Sequence, residues 1–393
     1  MDSDAIDRLL GQAVTAGAGP GFVAVVGDRD GVRYEGAAGT LRVGADAPVR
    51  TDTVVWLASM TKAIVSVAAL QLLEQRRIAL DQPVADVLPA FGALPVLEGF
   101  DGDTPRLRPP SHPATIRQLM THTAGAGYWF SNPDLLRYQL LAGVPDPFSG
   151  RLATLYDMPL VADPGTRWEY GTNADWLGLL VREVSGQELG DYCAEHIFAP
   201  LRMPDTTFMP TAALAARLMS VHRRTADGAL VPIELAWPTD PEFQSGGAGC
   251  FGTGPDYLRL MRALLRDGEL DGERILAPET VALAFSDHLA GAPLPDVIPS
   301  AVPELTNDIP RMPIAQGWGL GFRLVLEGIP TMRHAGTGDW AGLANCYFWI
   351  DRDAGVAAAL LTQVLPFYDG GVIETLLAFE RAVYAPVSAA AAS

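Results

Sequence analysis

Ser59 and Lys62 stand three residues apart in Ala58-Ser59-Met60-Thr61-Lys62, and Lys62 is the one lysine among 28 Lys and Arg residues. Positions i and i+3 share a helical face, so the Ser59 hydroxyl would meet the Lys62 amine. Burial can lower a lysine's pKa far enough for it to take a proton from a serine. The serine oxygen can then attack a carbonyl carbon. Arginine cannot do this, because its pKa stays above ~12. A chain that uses arginine at every other basic position has kept lysine at Lys62. An N-capping serine followed by a lysine reaching for solvent would show the same spacing. The lysine's uniqueness favours catalysis.

Acyl transfer also needs a proton relay and donors for an oxyanion. Tyr170 is the relay candidate. It follows the Pro164-Gly165 turn and precedes a helix, which puts its phenol at a loop end; a core tyrosine is the competing reading. The second cluster is Arg333-His334-Ala335-Gly336-Thr337-Gly338-Asp339-Trp340-Ala341-Gly342-Leu343. Either His334-Ala335-Gly336 or Trp340-Ala341-Gly342 lines the site, and a plain turn between strands is the third reading. Tyr128-Trp129-Phe130 is core or the wall of an apolar acyl pocket. His122 reads as a structural histidine tying a helix end to the loop after it. The glycine-rich stretch 245–254 is not a phosphate loop, because no Lys-Ser/Thr follows it.

The elements that must hold these residues follow from pattern. Residues 21–27 and 32–37 read as a hairpin around Asp28-Arg29-Asp30-Gly31. Ser59 opens an apolar helix long enough to be buried. Residues 80–115, rich in Pro, Gly and Asp, read as an irregular connection. Helices are expected over 115–121, 133–142, 174–186, 189–197 and 211–219, and another from Asp256 to Arg266 with Asp256 as its cap. The proline-rich stretch 289–316 reads as a surface loop over the site. Strands over 317–325, 343–350 and 355–362, a helix over 371–383 and a frayed Ala/Ser end complete the chain. This order suits an α+β fold, with a sheet built from both chain ends, flanking helices and a helical middle. The expected division is 1–95 with 240–393 as the sheet domain and 96–239 as the helical insertion, with the active site between them.

Composition narrows the function. The net charge of −18 disfavours nucleic acid and anionic membranes as partners. The three cysteines are scattered and the six histidines show no H-x-x-x-H spacing, so no metal site is indicated. The acidic start, Met1-Asp2-Ser3-Asp4, lacks the basic-then-apolar plan of a signal peptide, and a soluble, cytoplasmic protein is expected.

In this order, the motifs resemble the serine hydrolases of the class C β-lactamase and penicillin-binding-protein fold, and within them the family VIII carboxylesterases. The resemblance rests on Ser59-Met60-Thr61-Lys62, Leu119 to Gly125, Pro164-Gly165-Thr166-x-Trp168-x-Tyr170 with Asp175 five further on, the glycine bend before Asp256-Tyr257-Leu258, and Trp340-Ala341-Gly342-Leu343 through Asp351. Trp340-Ala341-Gly342-Leu343-Ala344-Asn345 is similar to enzymes called 1,4-butanediol diacrylate esterases. The resemblance implies that Lys62, with Tyr170, takes the Ser59 proton. The backbone N–H groups of Ser59 and Leu343 would hold the oxyanion, and Tyr170 would protonate the leaving alcohol. It favours Trp340-Ala341-Gly342 over His334 as the substrate strand, with His334 a neighbour. Tyr128, Trp129, Trp340, Ala341, Gly342, Asn173 and His334 are then the candidate substrate contacts, and no cofactor is needed. The β-lactamases have Lys-Thr-Gly where this chain has Trp340-Ala341-Gly342, and Asn where it has Thr172, with Asn173 one place late. Both changes remove polar contacts for a β-lactam and favour a small, neutral ester. Amide hydrolysis, acyl transfer to an alcohol and a non-catalytic binding role are the alternatives.

Overall fold

In a computed structural model that describes residues 1–385, helix α1 (Ser3–Thr15) precedes a hairpin of β1 (Gly21–Asp28) and β2 (Val32–Gly39). Asp28 closes the hairpin by accepting the N–H groups of Asp30 at 2.8 Å and Gly31 at 2.9 Å. Helix α2 (Thr61–Glu74) follows, then α3 (Asn173–Ser185) and α4 (Gly254–Leu265). The chain ends in β3 (Gln316–Trp318), β4 (Arg323–Val325), β5 (Gly338–Gly342), β6 (Cys346–Asp351), β7 (Val356–Leu361) and α5 (Gly370–Tyr384). The sheet has seven strands in the order β3-β4-β5-β6-β7-β1-β2. Every pairing in it is antiparallel, and Val23 lies opposite Leu361. Both chain ends therefore build it, in the α+β arrangement expected from the sequence.

Strand alternation decides which helix covers which face. Phe22, Ala24 and Val26 of β1 meet Ile6 and Leu10 of α1 and Phe379 of α5. Val23 and Val25 meet Tyr257, Leu258 and Met261 of α4, and α2 lies in the same core. Every residue of α2 from Thr61 to Leu72 is buried. That matches its apolar character on all sides.

Several local expectations change. The 80–115 connection contains a hairpin of Val96–Asp101 with Thr104–Arg108. Pro105 hides it in the sequence, but an edge strand tolerates a proline. The strand expected over 317–325 is two, because Gly321 turns between them at φ +113°. Thr253, not Asp256, caps α4. Asp256 sits in the first turn and accepts the Asp205 N–H at 2.8 Å and the Thr206 hydroxyl at 2.9 Å. The Ala/Ser end lies outside the described residues. Among the described residues, no helix is long and apolar enough to cross a membrane.

A buried ion network fastens α5 to the sheet. Arg333 holds Glu380 of α5 through two bonds of 2.8 Å and also pairs with Asp339 of β5. Arg323 holds Asp339 at 2.8 and 3.0 Å. Removing one member of such a network strands a buried charge. Arg333→Met is expected to cost about 3–5 kcal/mol of stability, read from urea unfolding. A loss below about 1 kcal/mol would mean that water reaches these carboxylates and replaces the arginine.

Candidate active site

Ser59 lies in a 3₁₀ turn (Ala58–Met60) that runs straight into α2, just ahead of the helix's first turn. Ala58 adopts φ +46°, a conformation that costs a non-glycine residue energy. This tight entry presents the Ser59 side chain at the floor of a cavity. The residue is 8% exposed, enough to meet a substrate.

Three polar groups converge on the lysine. Lys62 Nζ lies 3.0 Å from Ser59 Oγ, 3.1 Å from the Tyr128 hydroxyl and 2.8 Å from the Gly247 carbonyl. The Tyr170 hydroxyl donates to Ser59 Oγ at 2.7 Å. The Trp340 indole N–H in turn reaches the Tyr170 oxygen at 3.3 Å. The Tyr170 ring stacks on Trp168 at an interplanar angle of 8°, which fixes the phenol's aim. Serine, lysine and tyrosine thus form one hydrogen-bonded chain across 111 residues of sequence.

The glycine-rich bend is explained by crowding. A Cβ on Gly247 would stand 2.4 Å from Asp175 Oδ2 and 2.5 Å from the Tyr128 hydroxyl. Only glycine lets that carbonyl approach Lys62. At the other side of the serine, a Cβ on Gly342 would stand 2.3 Å from the Leu57 carbonyl. The end of β5 therefore lies directly against the turn that carries Ser59.

A cavity of about 230 Å³ opens over these groups, and Ser59, Tyr170, Trp340, Ala341, Gly342 and Leu343 all line it. Phe130, which the sequence left as core or pocket wall, lines it, and Trp168 and Trp318 add aromatic walls that the sequence did not mark for the site. Leu294, Ile298, Ile309 and Met312, from the proline-rich stretch, close the far side. Trp340-Ala341-Gly342 is thus a strand at the cavity rather than a plain turn.

Four expected substrate contacts lie elsewhere. Tyr128 turns its hydroxyl to Lys62 and Asp175, so it is a partner of the lysine rather than a pocket wall. Trp129 lines a neighbouring cleft with Trp56, Phe148 and Trp237, which touches the first cavity at Leu343. Asn173 is fully buried, and its amide donates to the Ala126 carbonyl at 3.0 Å and meets the His122 ring at 3.1 Å. His334 does not line the cavity; its ring pairs with Asp351 at 2.8 Å and is half exposed. His122 is buried after the helix Ile116–Met120, and burial holds its pKa well below the usual range. Asp175 is the participant that spacing alone did not mark. Its Oδ1 accepts the Ser245 hydroxyl and the Gly247 N–H, while its Oδ2 accepts the Tyr128 hydroxyl.

The family model described as Beta-lactamase matches residues 6–382. Monacolin J acid methylbutanoyltransferase of Aspergillus terreus is 33% identical over 389 residues, covering 93% of this chain and 92% of that protein. Lovastatin esterase of Penicillium rubens is 30% identical over 404 residues, covering 98% and 99%. A solved structure of a simvastatin synthase mutant from Aspergillus terreus superposes with a TM-score of 0.84 at 31% identity, over 96% of this chain and 93% of that one.

Proposed function

Since this chain belongs to the beta-lactamase family, alongside relatives named as esterases and acyltransferases, we propose that it is a serine carboxylesterase acting on small, neutral, apolar esters. Lys62 takes the Ser59 proton as Ser59 Oγ attacks the ester carbonyl. The backbone N–H groups of Ser59 and Leu343 hold the developing oxyanion, a role supported by the tight seat of Gly342 against Leu57. Tyr170 gives its proton to the leaving alcohol, and water then releases the acid by the reverse path. The observation that carries this reading is the unbroken chain from Lys62 through Ser59 to Tyr170 at 3.0 and 2.7 Å on the floor of an apolar cavity. The chain has no second lysine, and Trp340 stands where the β-lactamases carry the Lys-Thr-Gly lysine, which favours a neutral ester.

The test is hydrolysis of p-nitrophenyl esters from acetyl to dodecanoyl. Turnover is expected, with kcat/KM highest for short to medium chains and lower at dodecanoyl, because the cavity is about 230 Å³. Absence of turnover on the whole series would move the assignment to amide hydrolysis or to a binding role.

Acyl transfer to an alcohol is the second reading, favoured by the aromatic walls around Ser59 and by the transferases among the relatives. Benzyl alcohol added to a p-nitrophenyl butyrate reaction should then divert part of the acyl group into benzyl butyrate. If butyrate remains the sole product at high alcohol, water is the only acceptor.

A further inference from the structure

To take the Ser59 proton, Lys62 must act as a neutral amine, which has two N–H donors and one lone pair. Lys62 Nζ has three polar neighbours, and they are not equivalent. The Gly247 carbonyl at 2.8 Å can only accept, so it takes one N–H. Ser59 Oγ at 3.0 Å and the Tyr128 hydroxyl at 3.1 Å can each accept or donate. One of them must accept the second N–H, and the other donates to the lone pair. If Tyr128 were the donor, it would occupy the lone pair and Ser59 would keep its proton.

A carboxylate decides between the two arrangements. Asp175, buried in the first turn of α3, places Oδ2 3.3 Å from the Tyr128 hydroxyl. An ionised carboxylate only accepts. Burial, and next to it the charge of Asp175, push the Tyr128 phenol well above its usual pKa, so the phenol keeps a proton that must point somewhere. We infer that Asp175 is a positioning residue that sets the direction of the hydrogen bonds around Lys62. By accepting the Tyr128 proton it presents the Tyr128 oxygen to the amine as an acceptor, and it leaves the lone pair for the Ser59 proton. This rests on the Ser59–Lys62 mechanism above. In the step itself the proton moves from Ser59 Oγ to Lys62 Nζ as the Oγ–carbon bond forms. Tyr128 and Asp175 neither gain nor lose a proton.

Asp175→Asn tests the direction at nearly constant shape. The Gly247 N–H, now 3.0 Å from Oδ1, requires an oxygen at that position. The new amide nitrogen must therefore face Tyr128 and donate to it, which turns the phenol proton onto Lys62. Modification of Ser59 by a fluorophosphonate is expected to slow by about 100-fold, a general-base effect, with kcat rather than KM falling on p-nitrophenyl butyrate. Tyr128→Phe alone is expected to cost less than about tenfold. The double variant removes the misdirected proton and should react at least about tenfold faster than Asp175→Asn, a non-additivity that a purely structural role would not give. Asp175→Asn reacting like the wild type, or a double variant no faster than the single, overturns the inference. Neutron diffraction of the wild-type protein reads it without any variant: the Tyr128 deuteron should lie toward Asp175 Oδ2, and a deuteron on the Lys62 side overturns it. Failure of the enzyme assignment looks different, as wild-type protein that turns over no ester or whose Ser59 resists the phosphonate.

Discussion

Arginine in place of Lys62 is expected to leave the fold intact and to lower ester turnover by about 10⁴-fold, at the upper end of what a general base contributes. Lys62 is 2% exposed and its amine meets three oxygens at 2.8, 3.0 and 3.1 Å. A guanidinium could satisfy those acceptors, so loss of hydrogen bonds would not explain the result. It cannot release a proton, because its pKa stays above ~12. The pre-steady-state burst of p-nitrophenol should vanish with the turnover, since acylation is the step that needs the base. Circular dichroism and urea unfolding report whether the fold survives. A folded Lys62→Arg protein with wild-type activity would remove lysine from the mechanism.

The second large effect is expected from Tyr170→Phe, and it should depend on the substrate. The ring stays in its stack on Trp168, so the cavity wall is kept and KM should change little. The variant loses the hydroxyl 2.7 Å from Ser59 and 3.3 Å from the Trp340 N–H. An alkyl alcohol needs a proton to leave and p-nitrophenolate does not. Alkyl butyrates should therefore lose about 10³-fold or more in kcat, within the range for a proton donor, and p-nitrophenyl butyrate clearly less. Equal losses on both esters would show that Tyr170 orients Ser59 without protonating the leaving group.

How far the sequence could be read tracks how local each feature is. Ser59 and Lys62 meet within one helical turn, so their spacing carried the geometry. The sheet was legible because β1, β6 and β7 are short apolar runs, buried along almost their whole length. Tyr128 touches Lys62 across 66 residues, and no local pattern encodes that contact. Tyr128 and Trp129 are adjacent, yet one turns to the lysine and the other into a different cleft. Asn173 is the instructive miss. It lies one residue past the position where the β-lactamases carry asparagine, and at the start of a helix one residue is a rotation of ~100°. Its amide consequently points into the loop around Ala126 and away from the cavity.

The pairing of Val23 with Leu361 has a consequence for biosynthesis. At about 5–20 residues per second, a ribosome needs roughly 20–70 s to travel from the first of these strands to the second. During that interval β1 has β2 on one side and no strand on the other, so the N–H and C=O groups along its outer edge have no sheet partner. The serine and lysine are made within the first sixth of the chain, but β5, which lies against them, is among the last strands made. The nascent protein therefore carries a sticky, inactive hairpin for most of its synthesis, and its yield in a cell should depend on chaperones that shield that one edge.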